Sequence, residues 1–117
     1  MEINAKIMEI NDCVQSLAAL AQDTRLTIYR TIVRAGPDGI AVGAIRTELG
    51  IAPATLSFHL NRLSTAGLIE RQRRGRHHLY RADFVRMQAV IDYLVRDCCG
   101  GQPDKCLPCW PQTGEGS

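Results

Sequence analysis

Four of the five cysteines, Cys98, Cys99, Cys106 and Cys109, fall in the last twenty residues of the chain. A chain without an export signal more often uses such a cluster for metal binding or redox chemistry than for disulfides. Thiolates are the ligands that soft ions prefer. The sequence therefore predicts a site for a thiol-seeking ion in the tail 98–117, which is rich in Pro and Gly.

Three other interpretations of these cysteines stay open. Cys98 continues the apolar stripe of the preceding helix, so it could be a core residue. The four sulfurs together could hold zinc tetrahedrally. Cys106 and Cys109 form a C-x-x-C pair that could close a redox-sensing disulfide. The fifth cysteine, Cys13, lies beside another apolar stripe and is expected in the core, with a contribution to the site across the dimer as the alternative.

Arginines dominate the positive charge. Twelve of the fourteen basic residues are arginine, although the net charge is only +2. Arginine suits bidentate contacts to phosphates and to guanine edges. The stretch 71–81 contains five arginines and no acid: Arg71, Arg73, Arg74, Arg76 and Arg81. This stretch is therefore a candidate nucleic-acid contact.

The chain length and composition fit one small domain. With 117 residues and 45% hydrophobic content, the chain can form a core, but so small a domain gains stability from a dimer interface. No apolar run has the roughly 20 residues that a membrane helix needs. The first residues do not resemble a secretory signal, so we expect a cytoplasmic protein with no membrane partner.

Apolar periodicity predicts four helices before residue 68. The first has a stripe at three- and four-residue spacing: Ile3, Ile7, Ile10, Val14, Leu17 and Ala21. The second begins at a predicted Asp23 N-cap and stops at Gly36-Pro37. The third covers Val42 to Leu49. The fourth begins at Pro53 and ends at Gly67, and its inward residues are Leu56, Leu60 and Leu63.

A hairpin and a fifth helix follow. Strands at 69–74 and 76–82 flank Gly75, which is a plausible turn. The fifth helix starts near Asp83, and its stripe consists of Phe84, Met87, Ile91, Leu94 and Cys98. The order ααααββα predicts a mainly α fold with a β-hairpin wing, a winged helix-turn-helix over residues 1–97. The stripes of the first and last helices suit a homodimer interface.

In a helix-turn-helix the second helix lies in the major groove, with its N-terminal part against the base edges. The outward candidates here are Thr55, Ser57, Phe58, His59 and Arg62. His59 has the alternative of packing inside. The wing adds Arg73, Arg74, Arg76, His77 and Tyr80. His77 and His78 should face opposite sides of a strand, so at most one contacts DNA. These side chains could also simply solvate a surface.

Three segments resemble the ArsR/SmtB repressors. Residues 18–26, AALAQDTRL, are similar to the family's LADPTRL; residues 55–69 are similar to its TVSxHLxxLxxAGLV; residues 73–80 are similar to its RxGRxxxY. The resemblance covers roughly residues 14–97. It implies a homodimeric repressor whose first and last helices form the dimer interface and whose two recognition helices bind a palindromic operator in double-stranded DNA. It does not imply an enzyme.

Family members differ in where they bind their inducer. Residues 46–50 lack the Cys-x-Cys of one arsenic site, and the fifth helix has no histidine for a zinc or nickel site. The tail resembles variants whose trivalent arsenic ligands follow the last helix. That resemblance implies Cys98, Cys99 and Cys106 as three thiolate ligands, with Cys109 as an alternate. A methylated arsenical, cadmium, lead, zinc or thiol oxidation stay as alternative signals.

Overall fold

The computed structural model describes residues 8–96, which form five helices and a three-stranded antiparallel sheet. The elements in chain order are α1 (Ile10–Leu20), α2 (Asp23–Ala35), β1 (Ile40–Ala41), α3 (Val42–Leu49), α4 (Pro53–Thr65), β2 (Ile69–Arg74), β3 (His77–Ala82) and α5 (Phe84–Val95). The predicted winged helix-turn-helix is confirmed. Within residues 8–96 no helix is long and apolar enough to cross a membrane.

The helix-turn-helix has the boundaries that the sequence predicts. Helix α3 ends at Gly50, whose left-handed φ of 65° lets its N–H donate to the Arg46 carbonyl. Helix α4 begins with Pro53 in its first turn, where the missing N–H costs no hydrogen bond. The connection between α3 and α4 therefore consists of Gly50, Ile51 and Ala52, a short turn typical of a helix-turn-helix.

Two helix starts differ from the prediction. The Asp23 N-cap is wrong: Gln22 caps α2, because its extended backbone lets its side-chain oxygen accept the Arg25 N–H at 2.8 Å. Asp23 instead lies in the first turn, where its charge favours the helix dipole. Helix α1 begins at Ile10, and the Asp12 carboxylate caps this start by accepting the Glu9 N–H. Ile3 and Ile7 of the predicted stripe lie outside the described residues.

The main core lies between α2, α3, α4 and the sheet. Its fully buried apolar side chains are Ile28, Ile32, Ile45, Leu56, Leu60, Leu63 and Leu68. The three α4 leucines are those predicted to point inward. They fix one face of α4 against the domain and leave the opposite face exposed.

The sheet has the order β1-β3-β2. Strands β2 and β3 form the predicted hairpin, with Ile69 opposite Ala82 and a turn at Gly75 (φ 61°). Strand β1 was not predicted. It pairs Ile40 with Tyr80 and so connects the start of α3 to the wing.

Helices α1 and α5 pack together through a small second cluster of Met8, Cys13 and Val90. Cys13 is 3% exposed, which confirms its expected place in the core. Met87 of the predicted α5 stripe packs against both core clusters, whereas most of the other stripe residues point the other way. The exposed members are Ile10, Val14, Leu17, Phe84 and Leu94. One chain therefore presents an uncovered apolar surface along the two helices predicted to form the dimer interface; we call it the α1/α5 stripe.

Candidate nucleic-acid interface

The outward face of α4 carries most of the predicted DNA contacts. Thr55, Ser57, Phe58 and Arg62 are all exposed. The structure adds Ala54 and Asn61 to this exposed face. The spacing of Leu56, Leu60 and Leu63 could have revealed both positions, because residues opposite an inward stripe must face outward.

His59 does not face outward as expected. His59 is 8% exposed. It packs inside the domain, which is the alternative that the sequence left open. Its Nδ1 lies 3.5 Å from Nη1 of Arg25 in α2. His59 shares the inward side of α4 with Leu56 and Leu63, so its position in the helix removes it from the exposed face.

Arg25 is a buried charge that connects three helices. It is 9% exposed, and its Nε donates to the Ala19 carbonyl near the end of α1 at 2.6 Å. Through Nη1 it also contacts His59 of α4. Arg25 lies in the family-like segment 18–26, but no role was predicted for it from the sequence. Its signal was periodicity, because Arg25 shares a helix face with Ile28 and Ile32.

The surroundings of His59 disfavour its charged form. Burial, together with the positive charges of Arg25 and Arg62, lowers the pKa of His59 below the usual value of about 6.5. His59 is therefore neutral at neutral pH. A neutral imidazole can accept a hydrogen bond from a guanidinium, whereas an imidazolium beside Arg25 would be repelled.

This lowered pKa predicts a pH-dependent stability. An unfolded chain takes up the His59 proton near pH 6.5, whereas the folded chain resists it, so this contribution to folding is complete above about pH 6.5 and is lost as the pH falls below it. We expect the H59Q variant to lose less stability than the wild type between about pH 7.5 and pH 5.5 in urea titrations. The matched control is H77Q at an exposed histidine, which should follow the wild type. Equal losses in H59Q and the wild type would contradict the assignment.

The wing presents a basic surface. Arg71, Arg73, Arg74 and Arg76 are exposed. Arg81 differs, because it pairs with Glu70 across the hairpin at 3.1 Å. Within residues 8–96 it is the one arginine of the five that forms such an ion pair. Four of the five arginine charges therefore stay available to a phosphate backbone.

The other predicted wing residues divide by burial. His77 is exposed, whereas His78 is partly buried, as expected for neighbours on a strand. Tyr80 is 7% exposed and belongs to the main core, where it pairs with Ile40 of β1. The prediction that Tyr80 contacts DNA is therefore wrong. Tyr80 shares its face of β3 with Ala82, and that face is turned toward the main core.

The predicted ion site lies outside the described residues, as Cys98, Cys99, Cys106 and Cys109 all follow residue 96. Among residues 8–96, no group of three or more His, Cys, Asp or Glu side chains could hold a metal ion. Helix α5 ends at Val95, three positions before Cys98.

The chain is similar to known DNA-binding regulators. Residues 20–72 match a family model described as a helix-turn-helix domain. Over 67 residues the chain is 36% identical to ArsR2 of Halobacterium salinarum, a proposed arsenical resistance operon repressor. That match covers 57% of this chain and 56% of ArsR2, so the chain spans just over half the length of this relative.

Solved structures show the same architecture. An ArsR-like transcriptional regulator from Rhodococcus sp. RHA1 is 28% identical, with a TM-score of 0.69 over 80% of this chain and 84% of that one. The homodimeric winged helix-turn-helix DNA-binding domain of Mb0332 from Mycobacterium bovis is also 28% identical, with a TM-score of 0.60 over 82% and 88%. With its winged helix-turn-helix and its three family-like segments, the chain shares the fold of ArsR-like transcriptional regulators and is similar to them in sequence.

Proposed function

We propose that the chain is a homodimeric repressor that leaves its operator when trivalent arsenic binds the cysteines of its tail. The observation that carries the DNA-binding part is the exposed face of α4 beside a wing with four exposed arginines. A helix with one face anchored by leucines and the other free can enter a major groove without rearrangement.

The side chains on this surface match the chemistry of DNA. Thr55 and Ser57 supply hydroxyls near the N-terminus of α4, where phosphates and base edges are both within reach. Arg62 can pair with guanine, and Asn61 with adenine. The wing arginines Arg73, Arg74 and Arg76, with His77, neutralise phosphates or enter the minor groove.

The α1/α5 stripe supplies the dimer interface. Two copies that cover this apolar surface would present their α4 helices about one DNA turn apart, roughly 34–36 Å, and would fit a palindromic operator. The Mb0332 domain, which has the same fold, is homodimeric. This supports the same assembly here.

The inducer site couples to the dimer through α5. Cys98 and Cys99 follow α5 by a few residues, and three thiolates are a suitable ligand set for a soft trivalent ion. We propose Cys106 as the third ligand, with Cys109 as its alternate. A thiol near a helix C-terminus gains nothing from the helix dipole, so capture of arsenic in the cytoplasm must release protons. The similarity to ArsR2 supports arsenic over cadmium, lead or zinc.

Binding at the tail would change DNA affinity by moving α5 within the dimer interface. A shift there alters the distance between the two α4 helices, and the operator no longer fits both. Such coupling is worth about 5- to 150-fold in affinity and is reciprocal, so DNA should weaken arsenic binding by the same factor.

The test is fluorescence anisotropy of a labelled duplex of the protein's own promoter, titrated with arsenite under reducing conditions. We expect the wild type to lose at least about tenfold in affinity. C98S and C106S should bind the duplex normally and stay bound. The control C13A changes a buried cysteine outside the proposed site and should still respond. If arsenite released none of these proteins, arsenic sensing would be wrong while DNA binding would stand.

A further inference from the structure

Phe58 is an exposed aromatic side chain on the face of α4 that we assign to DNA. Its side chain is 54% exposed, and within residues 8–96 it is the one large hydrophobic residue of α4 that is exposed. It lies two positions before Leu60, which is about 200° around a helix of 3.6 residues per turn. Phe58 therefore points away from the core and does not belong to the α1/α5 stripe.

The ring of Phe58 is held by its neighbours. The guanidinium carbon of Arg62 lies 5.8 Å from the ring centroid, in a cation–π arrangement. The His59 ring meets it edge-on, with centroids 5.4 Å apart and an interplanar angle of 65°. His59 is itself placed by Arg25. An exposed ring fixed in this way loses little conformational freedom when it binds.

The chemistry of the major groove leaves one partner for such a ring. Phenylalanine has no hydrogen-bond donor or acceptor, so it cannot pair with the polar edges of guanine, cytosine or adenine. Thymine alone presents a methyl group in the major groove, and apolar contact with that methyl is a known way to read the base.

We propose that Phe58 determines part of the operator sequence by packing its ring against a thymine methyl group in each half-site. This inference rests on the proposed function, because it requires α4 to lie in the major groove. It adds an aromatic reading position to a surface that also carries the polar side chains of Ser57, Asn61 and Arg62.

The experiment first selects an operator from random duplexes with the wild-type dimer. Each thymine of that operator is then replaced by deoxyuridine, which keeps base pairing and removes only the methyl group. We expect one position per half-site at which this replacement weakens wild-type binding about fourfold, the effect of one buried methyl group. F58A should bind the thymine operator more weakly and should not respond to uracil at that position.

A control variant separates this effect from a general loss of affinity. T55A changes a neighbouring exposed residue of α4 and should keep the uracil penalty even if its overall affinity falls. Thermal melts should show that F58A folds, because the ring is largely exposed. A selected operator that tolerates uracil everywhere, or an unchanged uracil penalty in F58A, would overturn the role of Phe58 and leave DNA binding intact. Failure to enrich any sequence would overturn both.

Discussion

The V14E variant is expected to be a folded monomer that binds the operator at least about a hundredfold more weakly than the wild type. Val14 lies between Ile10 and Leu17 on α1 and is 55% exposed in the single chain. In a dimer closed over the α1/α5 stripe, two carboxylates would be buried near each other, which is costly. Because each half-site then binds alone, the avidity of the linked pair is lost.

Analytical ultracentrifugation and operator anisotropy together test this prediction, with circular dichroism as the check on folding. The matched control is V85E. Val85 is 82% exposed on α5 but lies off the α1/α5 stripe, to which Phe84 and Leu94 belong, so the same substitution there should leave the dimer intact. A V14E protein that sediments as a dimer would place the interface elsewhere.

Replacing Arg25 with methionine is expected to lower the free energy of unfolding by about 2–3 kcal/mol. The substitution keeps an unbranched apolar stem and removes the donors to the Ala19 carbonyl and to His59 Nδ1. Both acceptors would then be buried without their partner, which costs more than a surface contact. Removing this positive charge should also raise the pKa of His59.

Urea denaturation of R25M and R30M provides the measurement. Arg30 is an exposed arginine of the same helix α2, so R30M should change the free energy of unfolding by no more than about 0.5 kcal/mol. If the two variants were equally stable, the buried contacts of Arg25 would not hold α4 in place. The position of the DNA-binding face would then depend on the leucine core alone.

Much of this fold could be predicted from sequence because its boundaries depend on local chemistry. Gly50 and Pro53 mark the helix-turn-helix connection, and the spacing of Leu56, Leu60 and Leu63 fixes which face of α4 is buried. Strand β1 could not be predicted, because a strand of two residues is too short to show an alternating pattern.

The errors at the candidate site could have been avoided by periodicity. His59 shares the inward side of α4 with Leu56 and Leu63, and Tyr80 shares a strand face with the buried Ala82. The same leucine spacing was enough to place Asn61 on the exposed face. Periodicity could not show that Arg25 is the partner of His59, because Arg25 lies in α2 and is distant in sequence.

The α1/α5 stripe shows what periodicity can and cannot establish. The pattern of Ile10, Val14 and Leu17 correctly predicts an apolar helix face, but it does not say which surface covers that face. In the structure a different side of α1, which carries Cys13, packs on α5. The stripe itself is left for a partner, which agrees with the predicted homodimer.

The most direct test of the repressor assignment compares binding to two duplexes of equal length and base composition, the protein's own promoter and a scrambled version. At physiological salt, anisotropy should show that the promoter binds at least about a thousandfold more tightly, as specific regulators do. Equal affinity for the two duplexes would contradict the assignment as a repressor. The protein would then contact only the phosphates of the DNA, which are the same in both duplexes.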